Sequence, residues 1–332
     1  MNFNSKESAI LSLIRRSLFE SEEPLPTLQE NEWEELVCTS DALGVLPLAF
    51  EGASAIAPSA LPKYLPDAWS ELVYRKSERS EAILAEESAL ADFLKEQRTP
   101  ILFLADTAAA AYYPTPALRT VKRIDCLCDR RIKEVAETLS LTQPLSEKQA
   151  LIVDKNGDME VMRLRSMLAR ALDSCINSEI GTYTLPVPSA SVQALLILLA
   201  AEQKASLLLL LDFAVLLHYG FAKQEINLAM QVRSWEQCGL IDTAKKLAMA
   251  ASLSFGLEIE EWFEDIDKEE AAEWLSTLLT PTEAKLSQAK KNLDIAMKRV
   301  SQPPKVQKVQ KVKKTADEKS ALSRFFGLFA KK

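Results

Sequence analysis

The 332-residue chain is 48% hydrophobic and 26% charged, which gives a globular protein with room for about two domains and excludes a disordered or fibrous one. Only 8 glycines occur where average usage gives roughly 23, which excludes a glycine-rich phosphate loop of the P-loop or Rossmann kind, and the single histidine, His218, excludes a His-rich metal site. The net charge of −7 divides unevenly: Lys285 to Lys332 holds 14 Lys+Arg against 3 Asp+Glu, net +11, and the remaining body, at net −18, repels nucleic-acid phosphate.

Apolar residues at helical spacing predict helices over about 6–20, 30–43, 46–56 and 67–97, with Asn31 to Glu34 as a capping box at the start of the second. After Pro100 the pattern changes. Ile101 to Leu104 is a short apolar run bounded by turn residues, as in a buried strand, and a brief Ala-rich helix at about 106–112 follows. Arg123 to Cys128 alternates polar and apolar, giving a second strand, then a helix from Arg130 to Leu139. Asn156-Gly157, flanked by two more apolar segments, predicts a hairpin and brings the β region to about four strands. Helices return at about 189–204, 206–219, 223–237, 240–255, 258–278 and 282–300. The expected fold class is α+β and mostly helical: a small mixed sheet at 99–188, flanked by helical regions at 1–98 and 189–300, with a basic linker and amphipathic end at 301–332.

Five cysteines with no Cys-x-x-Cys pair indicate free thiols in a reducing compartment. The N-terminus lacks a signal-peptide core. The most apolar stretch, Val192 to Leu217, is cut by Glu202, Gln203, Lys204 and Asp212 and falls short of the ~20 residues of a membrane span. A cytoplasmic protein is expected, with any membrane contact peripheral.

The block Tyr113-Pro114-Thr115-Pro116-Ala117-Leu118-Arg119, followed by Arg123-Ile124-Asp125-Cys126-Leu127-Cys128, resembles the signature of a poorly characterised bacterial nucleotidyltransferase-like family. Trp33 to Val37, Gly44 to Leu48, Glu160-Val161-Met162 and the Leu-rich segment around Asp212 follow in the same order, so the resemblance extends over roughly residues 8–260. It implies a polymerase-β-type fold, in which an Asp-x-Asp pair on one strand face and a third carboxylate from a neighbouring strand hold two Mg²⁺ ions against a nucleoside triphosphate. Asp125 stands at the second Asp position and Glu160 at the third carboxylate.

The departures from that pattern are specific. Arg123 replaces the first Asp and puts a permanent cation where a metal ion belongs; residues 104–107 read Leu-Ala-Asp-Thr in place of a Lys-Gly dipeptide; Met162 replaces a His. An eroded metal site is the favoured expectation, giving a non-catalytic binding or regulatory protein with no cofactor. In it, Arg123 bridges Asp125 and Glu160, or Arg119 and Arg123 receive an anion such as a nucleotide phosphate. The alternative is an active Mg²⁺-dependent enzyme that uses Asp125 and Glu160 to transfer NMP from an NTP to a protein, sugar or small molecule, with Asp106 or Asp129 as a substitute ligand. Cys126 and Cys128 are expected as buried thiols and His218 as a helix-end side chain. A third reading makes the protein a helical adaptor. Leu322, Phe325, Phe326 and Phe329 share one face of a terminal helix, which docks on a partner protein or an anionic membrane.

Overall fold

The computed structural model describes residues 4–21, 23–54, 56, 61–128, 139, 145–147, 175–224, 226–258 and 268–301. Helix α1 (Ser5–Leu18) begins where the sequence satisfies its free amides: Asn4 Oδ1 accepts from the Glu7 amide at 2.9 Å, and Glu7 Oε2 accepts from the Asn4 amide at 3.2 Å. Helix α2 (Glu30–Leu43) carries the capping box two residues earlier than Asn31, because it is Gln29 whose amide donates to Glu32, at 2.8 Å. Helices α3 (Leu46–Ser54) and α4 (Leu65–Glu96) complete the N-terminal region. Gly52 lets α1 and α3 touch: a Cβ there would lie 2.1 Å from the Leu13 carbonyl oxygen.

Strand β1 (Ile101–Phe103), the short helix α5 (Ala105–Ala110) and strand β2 (Ile124–Cys128) follow, with β3 (Leu145–Glu147) closing a mixed sheet of order β1-β2-β3. β1 runs antiparallel to β2, pairing Phe103 with Cys126, and β2 runs parallel to β3, pairing Asp125 with Ser146. The alternation of β2 sends Ile124, Cys126 and Cys128 into the main core, while Leu127 joins Leu102, Leu104 and Val192 in a second, smaller one. Asp125 shares the Leu127 face, and Cys126 and Cys128 are buried on the opposite one.

A second sheet is the hairpin β4 (Cys175–Ile180) and β5 (Tyr183–Pro188). Its two-residue Gly181-Thr182 loop, with φ of 65° at Gly181, has the positive first torsion of a II′ hairpin turn. The residues themselves do not announce it. Pro186 and Pro188 and the polar Asn177, Ser178 and Glu179 weaken the strand pattern, while the stronger-looking Asn156-Gly157 signal lies outside the described residues, as do 130–138.

Further helices are α6 (Ala190–Lys204), α7 (Leu207–Val215), α8 (Leu228–Gln237), α9 (Ile241–Phe255), α10 (Lys268–Leu278) and α11 (Glu283–Val300), with a short helical turn at Phe221–Lys223. α7 runs on into a π-type turn, Leu216–Gly220, that carries His218, exposed and edge-on to Phe19 at 5.6 Å. α11 returns to the beginning of the chain, where it packs on α2 and α4; Asn292 Nδ2 donates to Asp41 at 3.0 Å, and Lys76 pairs with the same carboxylate at 2.6 Å. One continuous core therefore runs from Ala9 to Ala296 through all three regions that the sequence separates. No helix of the described residues is long and apolar enough to cross a membrane.

Candidate functional site

Arg123, at the entry to β2, and Asp125, on it, stand two residues apart, so their side chains leave the same face. Arg123 Nε donates to Asp125 Oδ2 at 2.9 Å. The arginine side chain is half exposed at 50% and the aspartate almost wholly buried at 2%. The hydrogen bond to Asp125 holds the Arg123 guanidinium above its ordinary pKa. The other carboxylate oxygen, Asp125 Oδ1, is buried and has no hydrogen-bond partner among the described residues.

A second acidic group lies behind this pair. Glu87 of α4 is fully buried, and the Thr107 hydroxyl of α5 donates across its two oxygens at 2.9 and 3.0 Å. Burial pushes the Glu87 carboxyl up to about 8; the Thr107 hydrogen bond opposes that, and the charges of Asp125 and Asp106 add to it. At neutral pH Glu87 is therefore mostly protonated. Sequence reading missed it, although there was a signal: Glu87 interrupts the apolar stripe Ile83, Leu90, Leu94 at helical spacing, and a carboxylate at that position is buried.

Arg119 is placed differently from the expectation that it joins Arg123 in receiving an anion. Its side chain is 4% exposed and turned inward. Nε and Nη2 donate to Oδ1 and Oδ2 of Asp212, both at 2.8 Å; Nη2 also meets Asp106 Oδ1 at 2.8 Å, and Nη1 donates to the Thr120 carbonyl at 2.9 Å. Tyr113 adds its hydroxyl to Asp212 Oδ1 at 2.8 Å. Burial opposes the Arg119 charge, but Asp212 outweighs it and raises the pKa; burial and then Asp212 raise that of Tyr113. The two most recognisable residues of the Tyr-Pro-x-Pro-x-x-Arg block thus bind α7 to the sheet region, a structural use.

The turn between β1 and α5 has a feature that its residues hide. Ala105 has φ of 49°, a left-handed torsion that favours glycine, at the place where the resemblance leads one to expect Lys-Gly. The left-handed torsion is formed there by an alanine.

The resemblance can now be set beside an independent comparison. Residues 29–141 match the model of a family described as uncharacterised nucleotidyltransferases. The match is shorter than the 8–260 span suggested by motif order, and it holds α2 to β2, with the Tyr113–Arg119 block and the Arg123–Asp125 pair inside it. No curated protein and no solved structure matches the chain. The chain thus carries a nucleotidyltransferase-like domain.

Whether the Arg123–Asp125 position, which resembles an Asp-x-Asp motif, suits Mg²⁺ turns on Asp125. One of its oxygens is satisfied by a guanidinium at 2.9 Å, so a divalent ion in this arrangement would meet a fixed positive charge. Among the described residues, no group of three or more His, Cys, Asp or Glu is arranged to hold a metal ion. Among the described residues, Arg123 and Asp125 by themselves do not make up a two-metal centre. Glu160 and Asp129 lie outside the described residues, as do Leu322, Phe325, Phe326 and Phe329.

Proposed function

We propose that this protein is a nucleotidyltransferase-like protein whose metal site has been replaced by an internal ion pair, and that it acts by binding or regulation without transferring a nucleotide. The observation that carries this reading is the 2.9 Å contact between Arg123 Nε and Asp125 Oδ2 on the face where two carboxylates would otherwise share a metal. A guanidinium neutralises the retained aspartate permanently, because Arg stays protonated at any physiological pH. The test is isothermal titration of the full chain with Mg²⁺ and each NTP. The expected result is no metal-dependent triphosphate binding. Binding that requires Mg²⁺ and disappears in Asp125→Ala would overturn the reading and restore an active enzyme.

The unpartnered Asp125 Oδ1 is the one observation that favours the active alternative, since a buried carboxylate oxygen without a donor has room to accept one more ligand. Against it stands the charge of Arg123. Substituting Arg123→Asp removes that charge and recreates the i, i+2 carboxylate pair, so Mg²⁺ binding is expected to appear in this variant and to be absent from the natural sequence.

A further inference from the structure

A cavity of about 270 Å³ lies away from the Arg123–Asp125 pair, between α4, the Thr115–Val121 loop and the β4–β5 turn. Its wall is mostly apolar, from Val73, Leu84, Leu118, Val121 and Ile180. Glu81 also lines it and makes no ion pair among the described residues, whereas the Arg119 charge that reaches it is already matched by Asp212 and Asp106. The volume falls just below the ~300–1,000 Å³ of small-molecule sites. It suits one or two apolar side chains accompanied by a cation better than a nucleotide.

The occupant is suggested by where the chain leaves α11. Helix α4 presents two adjacent stripes. Val73, Ser77, Ser80 and Leu84 face the cavity, while Asp67, Glu71 and Tyr74 meet Val300 at the end of α11, where Arg299 Nη1 lies 3.5 Å from Glu71 Oε1. Neighbouring helix positions are ~100° apart, so the chain departs roughly a third of a turn around α4 from the cavity. Residues 302–332 then carry 9 Lys+Arg against 2 Asp+Glu, facing a body, residues 1–301, that holds 31 Lys+Arg against 45 Asp+Glu, net −14. The linker to Leu322 reaches up to ~70 Å when extended, far more than the path requires. Leu322, Phe325, Phe326 and Phe329 supply the apolar side chains and Arg324 the cation.

We propose that the C-terminal segment from Leu322 to Phe329 docks into this cavity of its own chain, with an aromatic ring in the apolar pocket and Arg324 against Glu81. Tethering gives the segment an effective concentration in the millimolar range for its own body, and the acidic body itself is repelled by an anionic membrane, which weakens that competing destination. The proposal goes beyond the reading of the Asp125 site and does not depend on it.

The experiment is hydrogen exchange of the full chain, followed at 115–121 and 180–182. In Phe325→Ser/Phe326→Ser the amides there are expected to exchange roughly threefold faster or more. Ala117→Trp, which fills the cavity from an exposed loop position, is expected to increase the protease sensitivity of the tail while leaving near-UV circular dichroism unchanged. Glu81→Lys is expected to speed exchange, and adding Arg324→Glu to restore it. Equal exchange in the natural and Phe-substituted chains would overturn the proposal, as would phosphatidylserine vesicles binding the tail with no change at 115–121 when they are added.

Discussion

The two arginines of the signature block, four residues apart, are used in opposite ways. Arg119 is 4% exposed and grips Asp212 with two parallel hydrogen bonds; Arg123 is 50% exposed and donates to Asp125. The first spans the fold from the sheet region to α7, and the second joins β2 to the residue just before it. The difference follows from desolvation. A buried guanidinium must have its carboxylates in place or it destabilises the fold, so Arg119 is tied to architecture, whereas a half-solvated one can be exchanged at small cost and its position is open to functional change. One short block of sequence therefore joins an arginine committed to the fold to one that stays half in solvent.

That contrast can be broken by substitution. Asp212→Ala leaves Arg119 buried without its main partner, and a loss of about 3–5 kcal/mol in denaturant unfolding is expected. Tyr113→Phe removes one hydrogen bond to the same carboxylate and is expected to cost about 1.5 kcal/mol by the same measurement. Glu87, between the two pairs, sharpens the comparison through pH. Burial raises its folded pKa to about 8 from the ordinary 4.5 of the unfolded chain, so its contribution to stability is fully present below about 4.5 and is lost as pH rises through about 8. Glu87→Gln is therefore expected to flatten that fall and raise Tm by a few degrees at pH 8.5, read by thermal melts across pH. Arg123→Ala, screened by solvent, is expected to change stability by about 1 kcal/mol or less. A large loss there, or a small one for Asp212→Ala, would reverse the assignment of roles.

The order and type of most elements were legible because local chemistry decides them. Periodicity places a helix at about 30–43, where α2 spans Glu30–Leu43; the apolar run Ile101 to Leu104 and the alternation from Arg123 to Cys128 overrun β1 (Ile101–Phe103) and β2 (Ile124–Cys128) by one residue each. The β4–β5 hairpin was not legible, because two prolines and three polar residues blur its pattern and only pairing with a partner strand satisfies its backbone. At the candidate site, the i, i+2 relation of Arg123 and Asp125 follows from strand geometry alone, so their contact was foreseeable. The commitment of Arg119 to Asp212, 93 residues away, was not.

Sequence by itself determined the helical class, the scarcity of glycine, the charge division near residue 300 and the cation two residues before Asp125. Each is a property of composition or of neighbours along the chain. Only the tertiary structure decided which arginine is buried, that Glu87 keeps its proton, that Ala105 forms a left-handed torsion, and that α11 closes the core against α2 and α4. Those outcomes depend on which groups distant segments remove from water together, and desolvation is a property of the folded assembly of segments.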